Sequence, residues 1–166
     1  MNELTVRVPF AEDHDRLDEL LETYRRWKRS DFARAKAAFK EFKFGLQRHI
    51  IWEERILFPR FEEKTGMRDV GPTAVMRAEH RQIGACLEAL HEKVRKQDPE
   101  SEAEEARLLE LLTAHNQKEE NILYPAIDQL LTPVEQATVH QEMADLPAEA
   151  YQTCCGHSVG VAGTHA

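Results

Sequence analysis

Apolar residues recur three and four positions apart along most of this chain. Leu17, Leu20, Leu21 and Tyr24 follow Phe10 at helical spacing. Pro9 suits the first turn of that helix, and Glu12, Asp13 and Asp15 complement its dipole. Leu4 to Val8 reads as a short extended arm before it. Ser30 and Asp31 break the pattern and can cap a second helix, predicted from about Asp31 to Lys64 with Gly66 as its stop. Pro72 and Thr73 open a third helix, which reaches about Gln97 and ends at Asp98-Pro99. Ser101-x-x-Glu104 has the form of a capping box and starts a fourth helix, running to about Leu131. Thr132-Pro133-x-Glu135 repeats that form and starts a short fifth helix, ending near Leu146-Pro147. No run alternates as a strand would. The prediction is all-α: an antiparallel up-down-up-down four-helix bundle with a short fifth C-terminal helix. The bundle is assigned to residues 1–150. Residues 151–166, rich in Gly, Ser, Thr, Ala and His without helical period, read as a flexible tail.

The chain repeats itself. His49-Ile-Ile-Trp-Glu53-Glu54-Arg-Ile56-Leu57-Phe58-Pro59 aligns with His115-Asn-Gln-Lys-Glu119-Glu120-Asn-Ile122-Leu123-Tyr124-Pro125 at an offset of 66 residues. The same offset carries Asp13 to Glu79, His14 to His80, Leu17 to Ile83, Leu21 to Leu87 and Glu22 to Glu88. Each copy is therefore a helix pair with one histidine on its first helix and His-x-x-x-Glu on its second. Eight histidines in such a glutamate-rich chain yield about one His-x-x-x-Glu by chance. Two such motifs, two further histidines at the same offset and matched flanks to the proline go well beyond that.

Spacing brings these residues together. Positions i and i+4 share a helix face, so His49 and Glu53, and His115 and Glu119, each point at one spot. His14 lies 16 residues before Ser30 and His49 lies 19 after it; His80 lies 18 before Asp98 and His115 lies 17 after it. At about 1.5 Å per residue all four stand at similar heights in antiparallel helices. Leu17, Leu21, Leu46, Ile50, Ile56, Leu57, Ile83, Leu87, Leu90, Leu112, Ile122 and Leu123 share their faces, so the cluster is expected in the core. Pro59 and Pro125 are expected to kink their helices.

Composition narrows the chemistry. The chain has 166 residues, 42% apolar and 31% charged, with a net charge of −8. This is globular composition. Its acidity argues against nucleic acid and anionic lipid as partners. No segment nears the roughly 20 apolar residues of a membrane span. The N-terminal residues carry no secretory signal, which makes the cytoplasm the expected location.

Four imidazoles and two carboxylates in hydrocarbon are costly unless something pairs them. A pair of metal ions does so, and the mixed donor set fits iron or manganese. Glu53 and Glu119 are placed to bridge, with His14 and His49 on one ion and His80 and His115 on the other. Asp13 and Glu79 are candidates to orient the imidazoles beside them.

These motifs resemble the hemerythrin-like, or HHE cation-binding, family over about residues 1–147. The resemblance implies a non-haem di-iron centre with two Fe ions, carboxylate bridges and oxo or hydroxo bridges. It implies binding of O2, nitric oxide or peroxide in sensing or stress response. Its alternative is a di-iron enzyme that decomposes peroxide or repairs iron–sulfur clusters. Oxygen-carrier members have a fifth histidine one turn from the third-helix ligand; Met76 and Gly84 stand there instead, which leaves open positions and favours reactivity or sensing.

Other histidines and acids receive plainer readings. His91 and His140 face solvent or pack, Asp18 is a solvated helix acid, and Trp52, Phe58 and Tyr124 fill the core; a tyrosine beside the metals is the minority reading for Tyr124. Glu88-x-x-His91 lacks the mate a ferritin-like site needs. Cys154, Cys155 and His157 are soft donors in the tail that could bind a metal or undergo redox chemistry.

Overall fold

A computed structural model describes residues 5–153, and among them there is no strand. The elements are α1 (Arg7–Trp27), α2 (Phe32–Ile51), a π turn (Trp52–Leu57), α3 (Phe58–Thr65), α4 (Pro72–Arg95), α5 (Glu102–Lys118), a second π turn (Glu119–Leu123), α6 (Tyr124–Leu130), α7 (Pro133–Asp145) and a 3₁₀ turn (Ala148–Ala150). The cysteine-containing tail from Cys154 onward lies outside the described residues.

Most boundaries follow local chemistry. The Asp31 carboxylate accepts from the Arg34 backbone N–H at the start of α2, and Gly66 closes α3 in the left-handed conformation at φ 72°. Thr132 and Glu135 form the predicted capping box of α7. Two boundaries differ from expectation. Helix α1 already includes Arg7 and Val8, which were read as extended arm. Its first amides are held from far away, since Val6 and Arg7 N–H donate to the two oxygens of Asp128 at 2.6 and 3.2 Å. Pro9 costs nothing there, because first-turn N–H groups have no partner within the helix. The Ser101–Glu104 capping box does not form. Ser101 is buried, and its hydroxyl bonds Tyr24 and the Glu105 carboxylate instead. Lys28 joins Glu105 at 2.5 Å, which pairs this otherwise expensive buried acid.

The long helices pack in antiparallel pairs. Asp13 meets His49 at one end of the α1–α2 pair, and Tyr24 meets Phe39 at the other. Glu79 meets Lys118 and Lys93 approaches Glu104 along α4 and α5. The pairs close on each other through Arg25 with Glu105 and His14 with Glu120, and through Phe39 with His91 and Glu54 with His80. Two apolar clusters form. One contains Leu17, Leu21, Phe39, Phe42, Leu46, Ile83, Leu90 and Leu112; the other contains Phe10, Ile56, Leu57, Phe58, Met76, Leu123, Tyr124 and Ile127. Along each of the four long helices α1, α2, α4 and α5, with the π turns that extend α2 and α5, the chain passes from one cluster to the other across one of the four histidines. Ile122 is a correction: it is 65% exposed, whereas its repeat mate Ile56 is buried. Helix α7 packs on the first π turn.

Gly45 permits the close approach of α1 to α2. A Cβ there would lie 2.7 Å from Leu17 Cδ2 and 2.7 Å from the Arg16 guanidinium. Gly45→Val is expected to destabilise the chain by about 1–3 kcal/mol, as overpacking does. Gly84→Ala, where a Cβ meets nothing within 4 Å, is expected to stabilise it by about 0.5–1 kcal/mol. Thermal denaturation of the metal-free variants checks both signs.

Candidate metal centre

Both predicted prolines act at the centre. Pro59 has no N–H to donate and its ring crowds the carbonyl four residues back. The helix answers by widening one turn rather than breaking: Phe58 N–H bonds the Glu53 carbonyl, five residues back. Tyr124 N–H bonds the Glu119 carbonyl in the same way ahead of Pro125. Each His-x-x-x-Glu motif thus ends on the opening residues of a π turn, a device that recurs at functional sites.

All six predicted residues converge. His14, His49, Glu53, His80, His115 and Glu119 are buried, the two glutamates completely. Their donor atoms form two groups that share the glutamates: His14, His49, Glu53 and Glu119, and His80, His115, Glu53 and Glu119. Within each group the atoms lie within 4.8 Å of one another. The imidazoles turn Nε2 inward. His49 Nε2 is 3.4 Å from Glu53 Oε1, His14 Nε2 is 3.5 Å from Glu119 Oε1, His80 Nε2 is 3.0 Å from Glu53 Oε2 and His115 Nε2 is 2.8 Å from Glu119 Oε1.

Carboxylates behind the rings enforce that orientation. His49 Nδ1 donates to Asp13 at 2.9 Å and His115 Nδ1 to Glu79 at 3.3 Å. His14 Nδ1 donates to Glu120 at 2.9 Å and His80 Nδ1 to Glu54 at 3.0 Å. A neutral ring that donates from Nδ1 presents a lone pair at Nε2, the form a metal takes. Asp13 and Glu79 therefore orient imidazoles, but on the facing helix and not the neighbouring His14 and His80. The other two acids were missed. Their signal was present in the doubled Glu53-Glu54 and Glu119-Glu120 of the repeat.

Several inner atoms are close without being satisfied. Glu53 Oε2, His80 Nε2 and both Glu119 oxygens are buried and make no hydrogen bond. Glu53 Oε2 and His80 Nε2 stand 3.0 Å apart, yet neither is aimed at the other as a hydrogen bond requires. Burial of unpaired donors costs free energy, and a cation among them removes that cost. The donor set fits metal ions on this ground.

The buried carboxylates and imidazoles shift one another's protonation. Burial disfavours an imidazolium at His49, but the carboxylates of Glu53, Asp13 and Glu119 outweigh it and hold its pKa up at about 10. Burial likewise opposes charge at His80, and Glu53 and Glu54 outweigh it, giving about 9. His115 is raised for the same reason, by Glu119 and Glu53 against burial. Burial would raise the Glu53 carboxyl, but the surrounding imidazoles hold it well below the usual range.

A small cavity, with room for about one water molecule, adjoins the cluster. Leu17, Leu46, Ile83 and Leu112 line it on the apolar side. Asp18 lies at its rim beside His14, exposed as expected and outside both donor groups. His91 stacks on Phe39 and His140 bonds the Thr5 carbonyl, both remote from the cluster. Tyr124 does fill core, but its hydroxyl donates to Glu53 Oε1 at 2.5 Å.

Comparison with known proteins adds a frame. The family described as Hemerythrin HHE cation binding domain matches residues 9–127. The iron-sulfur cluster repair protein YtfE of Escherichia coli O81 (strain ED1a) is 33% identical over 89 residues, covering 48% of this chain and 40% of that protein. YtfE of Escherichia fergusonii is 32% identical over 89 residues with the same coverage. The chain thus matches less than half the length of these curated relatives. No solved structure matches it.

Two consequences of the raised imidazoles are measurable. His49 gains pKa on folding, from 6.5 to about 10, so its contribution to stability is full below 6.5 and is lost as pH rises through 10. His80 adds the same sign up to about 9. The metal-free chain is expected to lose thermal stability across that window. Metal loading at neutral pH is expected to release protons, read as a dependence of calorimetric binding heat on buffer ionisation enthalpy.

Proposed function

Since the chain belongs to the hemerythrin HHE cation-binding family, we propose that it is a non-haem di-iron protein that binds O2, nitric oxide or peroxide in sensing or stress response. The carrying observation is the convergence of four inward Nε2 atoms and two shared carboxylates, several of them buried without hydrogen bonds. In this reading His14 and His49 hold one ion, His80 and His115 the other, and Glu53 and Glu119 serve both. The helices form an up-down-up-down bundle around them. Iron bound there would supply redox-active positions for a small oxidant or diatomic ligand.

The protein's part follows from its own residues. Asp13, Glu54, Glu79 and Glu120 fix the four rings before any ion arrives, which lowers the ordering cost of binding. The apolar clusters above and below exclude bulk water, so charge–charge interactions inside are strong. The cavity beside the cluster suits a ligand of two or three atoms and no large organic substrate. No described helix is long and apolar enough to cross a membrane.

Iron–sulfur cluster repair is the second reading, favoured by the printed function of the YtfE relatives. Cys154 and Cys155 would serve it if the tail takes part, and Cys154→Ser with Cys155→Ser would then impair repair while leaving iron content unchanged. Peroxide decomposition is the enzymatic variant of the first reading; turnover lost in His115→Ala would support it, and turnover no faster than free iron would dismiss it.

The direct test loads the metal-free chain anaerobically with Fe(II), exposes it to air, and measures iron content and the optical spectrum. About two irons per chain with new near-ultraviolet bands is the expected result. No stoichiometric iron overturns the proposal. Asp13→Asn, which also loosens the Arg16 and Arg48 contacts, and Glu120→Gln each replace the carboxylate behind one ring by a weaker, neutral acceptor, and are expected to weaken iron binding about 10–100-fold.

A further inference from the structure

The 66-residue correspondence between the halves fails at one position inside the centre: Tyr124 stands where the other half has Phe58. Both side chains are fully buried and both open the helix that follows a π turn. Phe58 lays its ring parallel to the His80 imidazole, with centroids 5.8 Å apart. Tyr124 instead brings an oxygen into the first donor group. Its hydroxyl is 2.5 Å from Glu53 Oε1, 3.2 Å from His49 Nε2 and 3.5 Å from His14 Nε2. All three residues belong to the His14–His49 donor group, whose donor atoms lie within 4.8 Å of one another, and the phenol oxygen is within 3.5 Å of each of these three atoms. In the His80–His115 half the matching side chain is Phe58, which carries no oxygen.

Resting on the di-iron reading, we propose that Tyr124 is a further protein ligand of the His14–His49 half, so that the two halves of the centre are chemically unequal. The step is a ligand substitution. The phenol O–H bond breaks, an oxygen–metal bond forms, and the proton leaves to water; no electron moves. A phenolate is a hard, anionic oxygen donor, and a trivalent ion is its natural partner. A buried phenol is otherwise hard to ionise, and only a cation at this spot reverses that preference. The inequality also assigns direction: the His80–His115 half, with one protein donor fewer, would be the half that admits a small ligand from the cavity lined by Leu17, Leu46, Ile83 and Leu112.

Spectroscopy tests this without reference to turnover. The metal-free chain is loaded with Fe(II), oxidised in air and examined by visible absorption and resonance Raman. A phenolate-to-iron charge-transfer band with phenolate ring vibrations is expected in the unaltered chain. Tyr124→Phe, which removes one oxygen and keeps the ring, is expected to retain about two irons and the near-ultraviolet bands while losing the visible band. The remaining tyrosines cannot supply it, since Tyr24 bonds Ser101 at the far end and Tyr151 lies beside Arg48. Full iron content without the band in the unaltered chain, or a band that survives in Tyr124→Phe, overturns the inference and leaves the di-iron reading standing. Failure to bind iron at all removes both.

Discussion

The structure is organised around one electrostatic problem: two carboxylates and four imidazoles sit between two hydrocarbon clusters, shielded from bulk water. Pairing among themselves is only a partial solution. The Nδ1 side of every ring is satisfied by an acid, but on the inner side Glu53 Oε2, His80 Nε2 and both Glu119 oxygens make no hydrogen bond. The carboxylates hold the His49 and His80 imidazoles well above their ordinary pKa despite burial. The rest of the fold reads as support for this layer. Helix α1 is clasped at its start by Asp128, Gly45 lets it lie close on α2, and the Lys28–Glu105–Ser101 network ties the opposite end.

The π turns show how a local covalent constraint becomes a functional geometry. Proline in mid-helix would ordinarily break the ladder. Here the missing bond is absorbed by one wide turn beginning at or just before the glutamate of each motif. The chain then resumes as a helix with Phe58 or Tyr124 at its first position, facing the histidine layer. The two substitutions at that position decide what the layer meets: a ring face in one half, a hydroxyl in the other.

Much of this was legible because the repeat reports distances that no single motif can. The six central residues and their division between halves follow from one offset and from helix geometry. What was not legible depends on contacts between distant segments. Nothing near Val6 indicates that Asp128 will cap α1, so the arm was read as extended. Ser101-x-x-Glu104 has capping-box form, yet Tyr24 and Glu105 claim the hydroxyl first. Ile122 matches Ile56 in sequence and not in burial, and α7 packs on the π turn that carries Ile56. Adjacency along the chain points Asp13 to His14 and Glu79 to His80, whereas each of these acids holds a ring on the next helix, His49 and His115.

The crossing of those ring partners has a further meaning. His14 of the first half is held by Glu120 of the second, and His80 of the second by Glu54 of the first. Each half also lends its glutamate to the donor group of the other. Neither half, taken alone, contains a complete set. The arrangement is that of a self-complementary contact between two like units, where residue i of one meets residue j of the other and the reverse, with the units joined into one chain. A symmetric dimer of a single helix pair would satisfy the same contacts. Linking the copies frees each to change independently, and Tyr124 facing Phe58 is the difference that a strictly symmetric dimer could never hold.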